Sequence, residues 1–282
     1  MATIFEKISG DDEIFNNKEY INDSLTFNAI ESARKDGSYN IYSDHKNVVI
    51  LTAKRGPKVW LWTSSAIKDD TNKLIDICRF LRDCKIPKAE IYLKQDVSSS
   101  FSDLYALTTL EINYIVKDEF SLAVYTYTGE KVTDIPASDI EKDAEIIKID
   151  KKDPEHVRLI TEFYSSLKEE FRWTDKFERK LNEYLENDIY ALLKNGRIVA
   201  DSVIGGTADK YLRIKSIAVL SDERKKGYGY MMCIHTVNEI IDRGFIPVLY
   251  THIGNASAVA LWGKSGFNIK DKLYLLKIEN ND

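Results

Sequence analysis

Three basic residues, Arg224, Lys225 and Lys226, precede two glycines one residue apart, Gly227 and Gly229. They stand where a β-like run, Tyr211–Val219, gives way to a helix-like run, Met231–Asp242. The chemistry open to such a stretch is anion capture. The first N–H groups of a helix have no partner within it, and the aligned peptide dipoles favour a negative group there. Glycine lets backbone approach a ligand closely. Cations at this end of a helix are unfavourable unless a negative partner joins them. The stretch therefore reads as a polyphosphate pocket, with Tyr228 between the two glycines as part of it. The alternative is a solvated basic turn ahead of an ordinary amphipathic helix.

Downstream, Asn255-Ala256-Ser257-Ala258-Val259-Ala260-Leu261-Trp262 begins a short helix that runs to Gly266-Phe267. Taken together, the two stretches resemble the GNAT superfamily of acyl-CoA N-acyltransferases. That family's first motif, R/Q-x-x-G-x-G/A after a strand ending in Val, appears as Arg224, Gly227 and Gly229 after Val219. Its second, N-x-x-A-x-x-L-Y followed by Gly-Phe, appears as Asn255, Ala258, Leu261 and Trp262, then Gly266-Phe267. The resemblance covers roughly the last half of the chain.

The resemblance implies acetyl-CoA as co-substrate. The backbone of 224–229 would wrap its pyrophosphate. Ala218 and Val219 would pair with the pantetheine arm like an added strand, and Asn255 would hydrogen-bond that arm, with Ser257 in the same turn. Asn255 equally reads as a helix N-cap. Trp262 would pack along the arm or in the core. The Val219 N–H, with Ser216 on the same strand, would face the thioester. One oxyanion donor of this kind contributes about 2.7–4 kcal/mol.

Proton transfer departs from the family pattern. The strand 211–219 lacks the usual Glu, so His252 at the end of the next strand is the candidate base, its ordinary pKa being near neutral. The usual Tyr is Trp262, whose indole N–H is not a useful acid. Tyr228, Tyr250 and Tyr274 remain as substitutes. No Cys or Ser nucleophile with a paired base is evident, so direct attack by the amine is expected. The acceptor is expected to be a small primary amine: an amino sugar, aminoglycoside, polyamine or amino acid. Its pocket is expected between the first two helices of the second half and the strand edges. There Glu169 and Glu170 would attract an amine and Phe171 or Trp173 would stack on it. A CoA-binding sensor without turnover is the alternative reading, and a transferase using aminoacyl-tRNA a third.

The elements that must position these residues follow from periodicity. Helical spacing marks 17–35, 67–84, 154–171, 174–186, 228–243 and the stretch from Asn255. Ser98–Ser100 offers N-caps for a further helix through Leu107. β-like runs cover 39–43, 47–53, 58–63, 89–94, 111–116, 120–127, 145–150, 189–194, 197–205, 211–219, 246–251 and two closing strands around Phe267 and 273–278. Asn195-Gly196 predicts a tight hairpin. The fold class expected is α/β (α+β), as two GNAT-like domains, each with a mixed, mostly antiparallel sheet flanked by helices.

A length of 282 residues fits two domains. The polar stretch around Pro136 separates them, giving 1–130, a linker at 131–144 and 145–282. Lys58–Thr63, the helix 67–84 and Ile86-Pro87 match Leu212–Val219, the helix 227–243 and Ile246-Pro247 in order, as a diverged internal repeat. The phosphate loop does not repeat: Thr63–Asp70 has no glycine and two acids. Residues 1–130 thus read as a degenerate GNAT-like domain without a CoA site, or as an unrelated α/β domain. A net charge of −5 with 30% charged residues argues against a general nucleic-acid binder. Cys78, Cys84 and Cys233 suggest neither disulfide nor metal site, and no metal is expected. No apolar run would span a bilayer and no secretory signal is seen, so a cytoplasmic monomer or homodimer is expected.

Overall fold

Twelve strands hydrogen-bond into one sheet that runs through both halves of the chain. The computed structural model describes residues 4–37, 39–54, 57–84, 88–94, 97, 101, 114–132 and 144–280. The first half supplies β1 (Glu6–Lys7), β2 (Tyr39–Ser43), β3 (Val48–Ala53), β4 (Lys58–Thr63), β5 (Lys88–Lys94) and β6 (Tyr114–Tyr127), with helices α1 (Lys18–Asp23), α2 (Asn28–Asp36) and α3 (Thr71–Asp83). The second supplies β7 (Ala144–Lys148), α4 (Pro154–Leu167), α5 (Phe177–Leu185), β8 (Asp188–Lys194), β9 (Arg197–Ala208), β10 (Tyr211–Val219), α6 (Tyr228–Asp242), β11 (Ile246–His252), α7 (Ala256–Lys264) and β12 (Phe267–Asn280).

The strand order is β1-β2-β3-β4-β5-β12-β6-β11-β10-β9-β8-β7. It is symmetric about its centre: each strand of the first half has its counterpart at the same distance on the other side. The pairs β4/β5 and β10/β11 are parallel and the others antiparallel. The fold is a mixed, mostly antiparallel sheet flanked by helices, as the sequence predicts. It is not two separate sheets, because β6 and β12 change places. β6 runs between β11 and β12, and β12 runs between β6 and β5.

Each half's core is completed by the other's strand. Ala123, Tyr125 and Tyr127 of β6 pack with Met231, Met232 and Val237 of α6, while Leu276 and Ile278 of β12 pack with Leu74, Ile77 and Leu81 of α3. One face of the sheet thus carries α3, α6 and α7. The other carries α1 and α2, packed on Trp60, Trp62 and Val124, and α4 and α5, packed on Ile189, Val203 and Ala218.

Several elements differ from expectation. The helix expected over 17–35 is two, α1 and α2, with buried Leu25 and Phe27 in the turn between them. The carbonyl of Thr26, freed there, accepts from the Tyr250 hydroxyl at 3.0 Å. Gly37 ends α2 in the left-handed region, φ 64°. α3 begins later than expected because Asp70 caps it, its carboxylate accepting from the Lys73 N–H. The described part of the run 111–116 and the run 120–127 form one strand, β6: Asp118 and Glu119, which lie between the two expected runs, pair with Lys277 and Leu276. The two closing strands are likewise one, β12, with a register shift between Ile269 and Asp271. Asn195 and Gly196 turn the β8–β9 hairpin with φ of 50° and 74°, as Asn-Gly predicts. Ile86-Pro87, the helix expected through Leu107 and most of 131–144 lie outside the described residues.

Candidate active site

β10 and β11 are paired only over Tyr211–Arg213 and Ile246–Val248. Beyond that the two strands run on to Val219 and His252 without pairing to each other, and a gap opens between them. Two irregularities against β9 accompany the gap. Between Leu212 and Ile214 the extra residue is on β9, at Gly205-Gly206, where Gly206 takes φ +83° and a Cβ on Gly205 would stand 2.0 Å from Asn187 Oδ1. Between Ile214 and Ser216 the extra residue is Lys215 on β10 itself. Bulges of this kind re-aim side chains. Before Lys215, Leu212 and Ile214 face α6; after it, Ile217 and Val219 do, while Ala218 turns to α4.

The backbone follows the same parity. The Leu220 N–H donates to the Val199 carbonyl at 3.0 Å. Antiparallel pairing alternates, so the N–H of Val219 points away from β9, into the gap that β11 has left. Past Arg213 the strand thus presents a backbone edge that β11 leaves unpaired, with an N–H at its end.

The chain then enters α6 through a 3-10 turn at Ser221–Glu223. Gly227 is the N-cap residue with φ 88°, and no side chain caps the helix. Its open surroundings show that φ, rather than lack of space, demands glycine here. At Gly229 a Cβ would make ordinary contact with Val219 and Leu261. The N–H groups of the first turn are thus left for an anion. The cations are arranged differently from expectation. Arg224 folds back, its Nε donating to the Val219 carbonyl at 3.1 Å and its guanidinium pairing with Glu170 at 2.5 Å. Lys226 pairs with the largely buried Glu223 at 2.9 Å, which also holds Arg197 at 2.8 Å. These cations, the Lys226 contact first, hold the Glu223 pKa low. Lys225 is exposed with φ 65°. The Tyr228 side chain is buried and its hydroxyl accepts from Lys194 Nζ at 3.0 Å, leaving only its backbone to the loop.

In the first half, the counterpart pair β4/β5 also parts after three residues. There the helix N-terminus is closed by the Asp70 cap, and a stacked Trp60–Tyr92 pair, 4.2 Å between centroids, lies at the parting point.

In the second motif, Asn255 is the N-cap of α7, accepting from the Ala258 N–H at 3.2 Å. Ser257 is exposed on the first turn. Trp262 is in the core, 6% exposed, and its indole N–H donates to Thr251 Oγ1 at 2.7 Å. That bond ties α7 to β11. His252 is half-buried at the end of β11, and burial, with Lys277 nearby, lowers its pKa. Tyr274 packs against the first half's core. Burial pushes the Cys233 thiol up to about 12 and raises Cys84 as well.

On the α4/α5 face, a cleft of 390 Å³ opens beside the start of the gap. Trp173, one of the two aromatics expected there, lines it with Tyr184 beside it and Arg213 and Tyr250 from the strands; Phe171 does not line it, and Lys58 and Trp60 of the first half were not anticipated. Glu170, the expected amine attractor, is held by Arg224 instead. A larger hollow, 490 Å³, lies at the opposite ends of β10 and β11 against Phe245 and Pro247, away from the loop.

Sequence reasoning also missed Asp201. It sits on β9, directly across from Ala218, and is fully buried. The Tyr164 hydroxyl donates to Oδ2, and Oδ1 is buried without a well-aligned partner. Burial pushes its pKa up to about 7 against the Tyr164 hydroxyl and the Ala218 N–H. The Tyr164 ring meets that of Tyr184 at 5.2 Å, and Tyr184 hydrogen-bonds Ser216, so the carboxyl lies one side chain behind the cleft. The one available sign was an aspartate inside the apolar run 198–204.

Residues 158–267 match the model of the acetyltransferase (GNAT) family. No curated protein matches the chain in sequence. Among solved structures, a GCN5-related N-acetyltransferase from Sphaerobacter thermophilus is 14% identical, with TM-score 0.66 over 100% of this chain and 97% of that one. A Drosophila protein is 12% identical, with TM-score 0.68 over 100% of both. A tandem GNAT protein from the clavulanic acid biosynthesis pathway is 9% identical, with TM-score 0.61 over 99% of this chain and 98% of that one. These similarities agree: residues 158–267 match the acetyltransferase (GNAT) family, within a chain that carries the GNAT fold along its whole length.

Proposed function

We propose that the protein is a cytoplasmic N-acetyltransferase that moves an acetyl group from acetyl-CoA to a small primary amine by direct attack. The observation that carries this reading is the continuity of three features: the unpaired edge of β10, the Val219 N–H at its end and the uncapped first turn of α6. In this reading the backbone N–H groups of 227–229 hold the diphosphate. Ile217 and Val219, whose backbone groups face the gap, hold the pantetheine arm in place of Ala218, whose backbone faces β9; Asn255 stands beside it, and the Val219 N–H stabilises the oxyanion. Acetyl-CoA supplies an activated acyl group, and no metal is required.

The amine must lose a proton. We assign its eventual acceptor to Asp201, which lies behind the cleft wall formed by Tyr184 and Tyr164, in place of His252, with solvent in the cleft as the first carrier. A carboxyl titrating near neutrality is matched to that role, and Tyr164 positions it. The Trp262 indole is engaged by Thr251 and the Tyr250 hydroxyl by the Thr26 carbonyl, so neither has an acid role and the thiolate leaves unprotonated or takes its proton from solvent. A CoA-binding sensor is the second reading, favoured by the engagement of Arg224 and Lys226 with acids. Amine-dependent thiol release from acetyl-CoA separates the two: release that rises with amine supports the transferase, whereas CoA binding without release on any amine supports the sensor.

A further inference from the structure

The cleft beside the gap is charged in one sense. Lys58, Lys180, Arg213 and Lys215 line it against a single acid, Glu183. Lys180 pairs with Glu183, and Lys215 donates to Asn187 Oδ1 at 2.7 Å. Arg213 has no carboxylate partner among its described contacts. Its guanidinium carbon lies 5.4 Å from the Tyr250 ring centroid, and its Nε is buried without a hydrogen-bond acceptor. Trp60 is 5% exposed, and its indole Nε1 is also buried without an acceptor. A buried donor left unmade is costly, and the two side chains that carry these donors, one of them charged, line the same cleft. Lys58 keeps solvent access, yet the protein around its ammonium, followed by Lys180 and Arg213, lowers its pKa while Glu90 opposes the shift. An anion in the cleft would answer the positive charge of Lys58 and Arg213 together.

We infer that the acceptor amine carries an anionic group, a carboxylate or phosphate, seated between Arg213 of the second half and Lys58 and Trp60 of the first. This rests on the acetyltransferase reading and narrows it. Polyamines and aminoglycosides, which are polycations, are disfavoured by the same charges. On this inference the first half supplies one wall of the acceptor site.

Calorimetric titration with two matched pairs tests this: phenylalanine against phenethylamine, and glucosamine 6-phosphate against glucosamine. Each is run on CoA-saturated protein and on protein without CoA. The member that carries the carboxylate or phosphate in at least one pair is expected to bind roughly tenfold or more tighter than the partner that lacks it; which pair responds tells carboxylate from phosphate. Arg213→Gln should remove most of that ratio, and Lys58→Gln, at an exposed position, should reduce it without threatening the fold. Equal binding within both pairs, no binding by any of the four, or an undiminished ratio in both variants overturns the inference. Failure to bind CoA would sink the acetyltransferase reading instead, and the titrations without CoA would still report on the anion preference.

Discussion

At the scale of single residues, Asp201 is a buried carboxyl that no motif marks, and Trp262 takes the core position that was one of its two expected places. Asp201 stays protonated in the fold up to about pH 7 and ionises in the unfolded chain from about pH 4. The unfolded chain thus binds fewer protons between those values, and this group's contribution to stability falls as pH rises through the window, then levels above it. Asp201→Asn should flatten that dependence, so the difference in melting temperature between variant and parent should shift in the variant's favour from pH 5 to pH 7. If Asp201 takes the amine's proton, the same variant loses the limb of the kcat/KM profile near pH 7, whereas His252→Gln keeps it. Trp262→Phe should destabilise by about 1–3 kcal/mol, since Thr251 is left buried and unpaired, with kcat little changed; a collapse of kcat at full stability would restore the indole to the chemistry. Both roles were hard to read in sequence for one reason. A motif fixes residue spacing, but whether a polar side chain faces substrate or a buried partner depends on the neighbouring strand. His252 and Trp262 were legible as positions and not as partners.

At the scale of elements, the bulges in β9 and β10 decide where the gap falls. Gly206 has φ +83°, and an added Cβ would meet the Arg213 guanidinium at 3.5 Å and Ser32 Oγ at 3.4 Å. Gly206→Val should therefore cost about 1–3 kcal/mol through strain alone and weaken acceptor binding by displacing Arg213, with CoA retention unaffected. Denaturant titration and separate binding curves check the two parts; loss of CoA retention at unchanged acceptor affinity would contradict it. Most elements of the second half were legible, because hairpin chemistry at Asn195-Gly196, the proline at the start of α4 and the Asn255 cap are local. The break between α1 and α2 was not. No glycine or proline marks it, and its stability comes from Leu25 and Phe27 in the core and from Tyr250, 224 residues beyond Thr26, bonding the freed carbonyl. β6 was likewise misread, because the polar Lys117–Glu119 imitates a turn and only its partner strand keeps it extended.

At the scale of the molecule, the exchange of β6 and β12 makes the halves interdependent. The repeat was visible in sequence as matching element order, but not the exchange, since strand order is settled by pairings far apart in the chain. Residues 144–282 alone lack Ala123, Tyr125 and Tyr127 under α6. They should aggregate or associate when expressed alone and become soluble on co-expression with 1–132, as gel filtration would show; a folded, monomeric 144–282 would contradict this. The same asymmetry divides the work between the halves, with an open helix end in the second, a capped one in the first, and a shared cleft between. The account stands on the open end. Its most direct test is calorimetric titration of CoA into the parent, Gly227→Ala and Gly227→Glu. The alanine introduces the strain of a left-handed residue, about 1–2 kcal/mol, and the glutamate adds a negative charge at the same point. The account predicts that the parent binds, that alanine weakens binding modestly, and that glutamate weakens it by roughly tenfold or more beyond alanine, with circular dichroism unchanged. Equal binding by all three would contradict it.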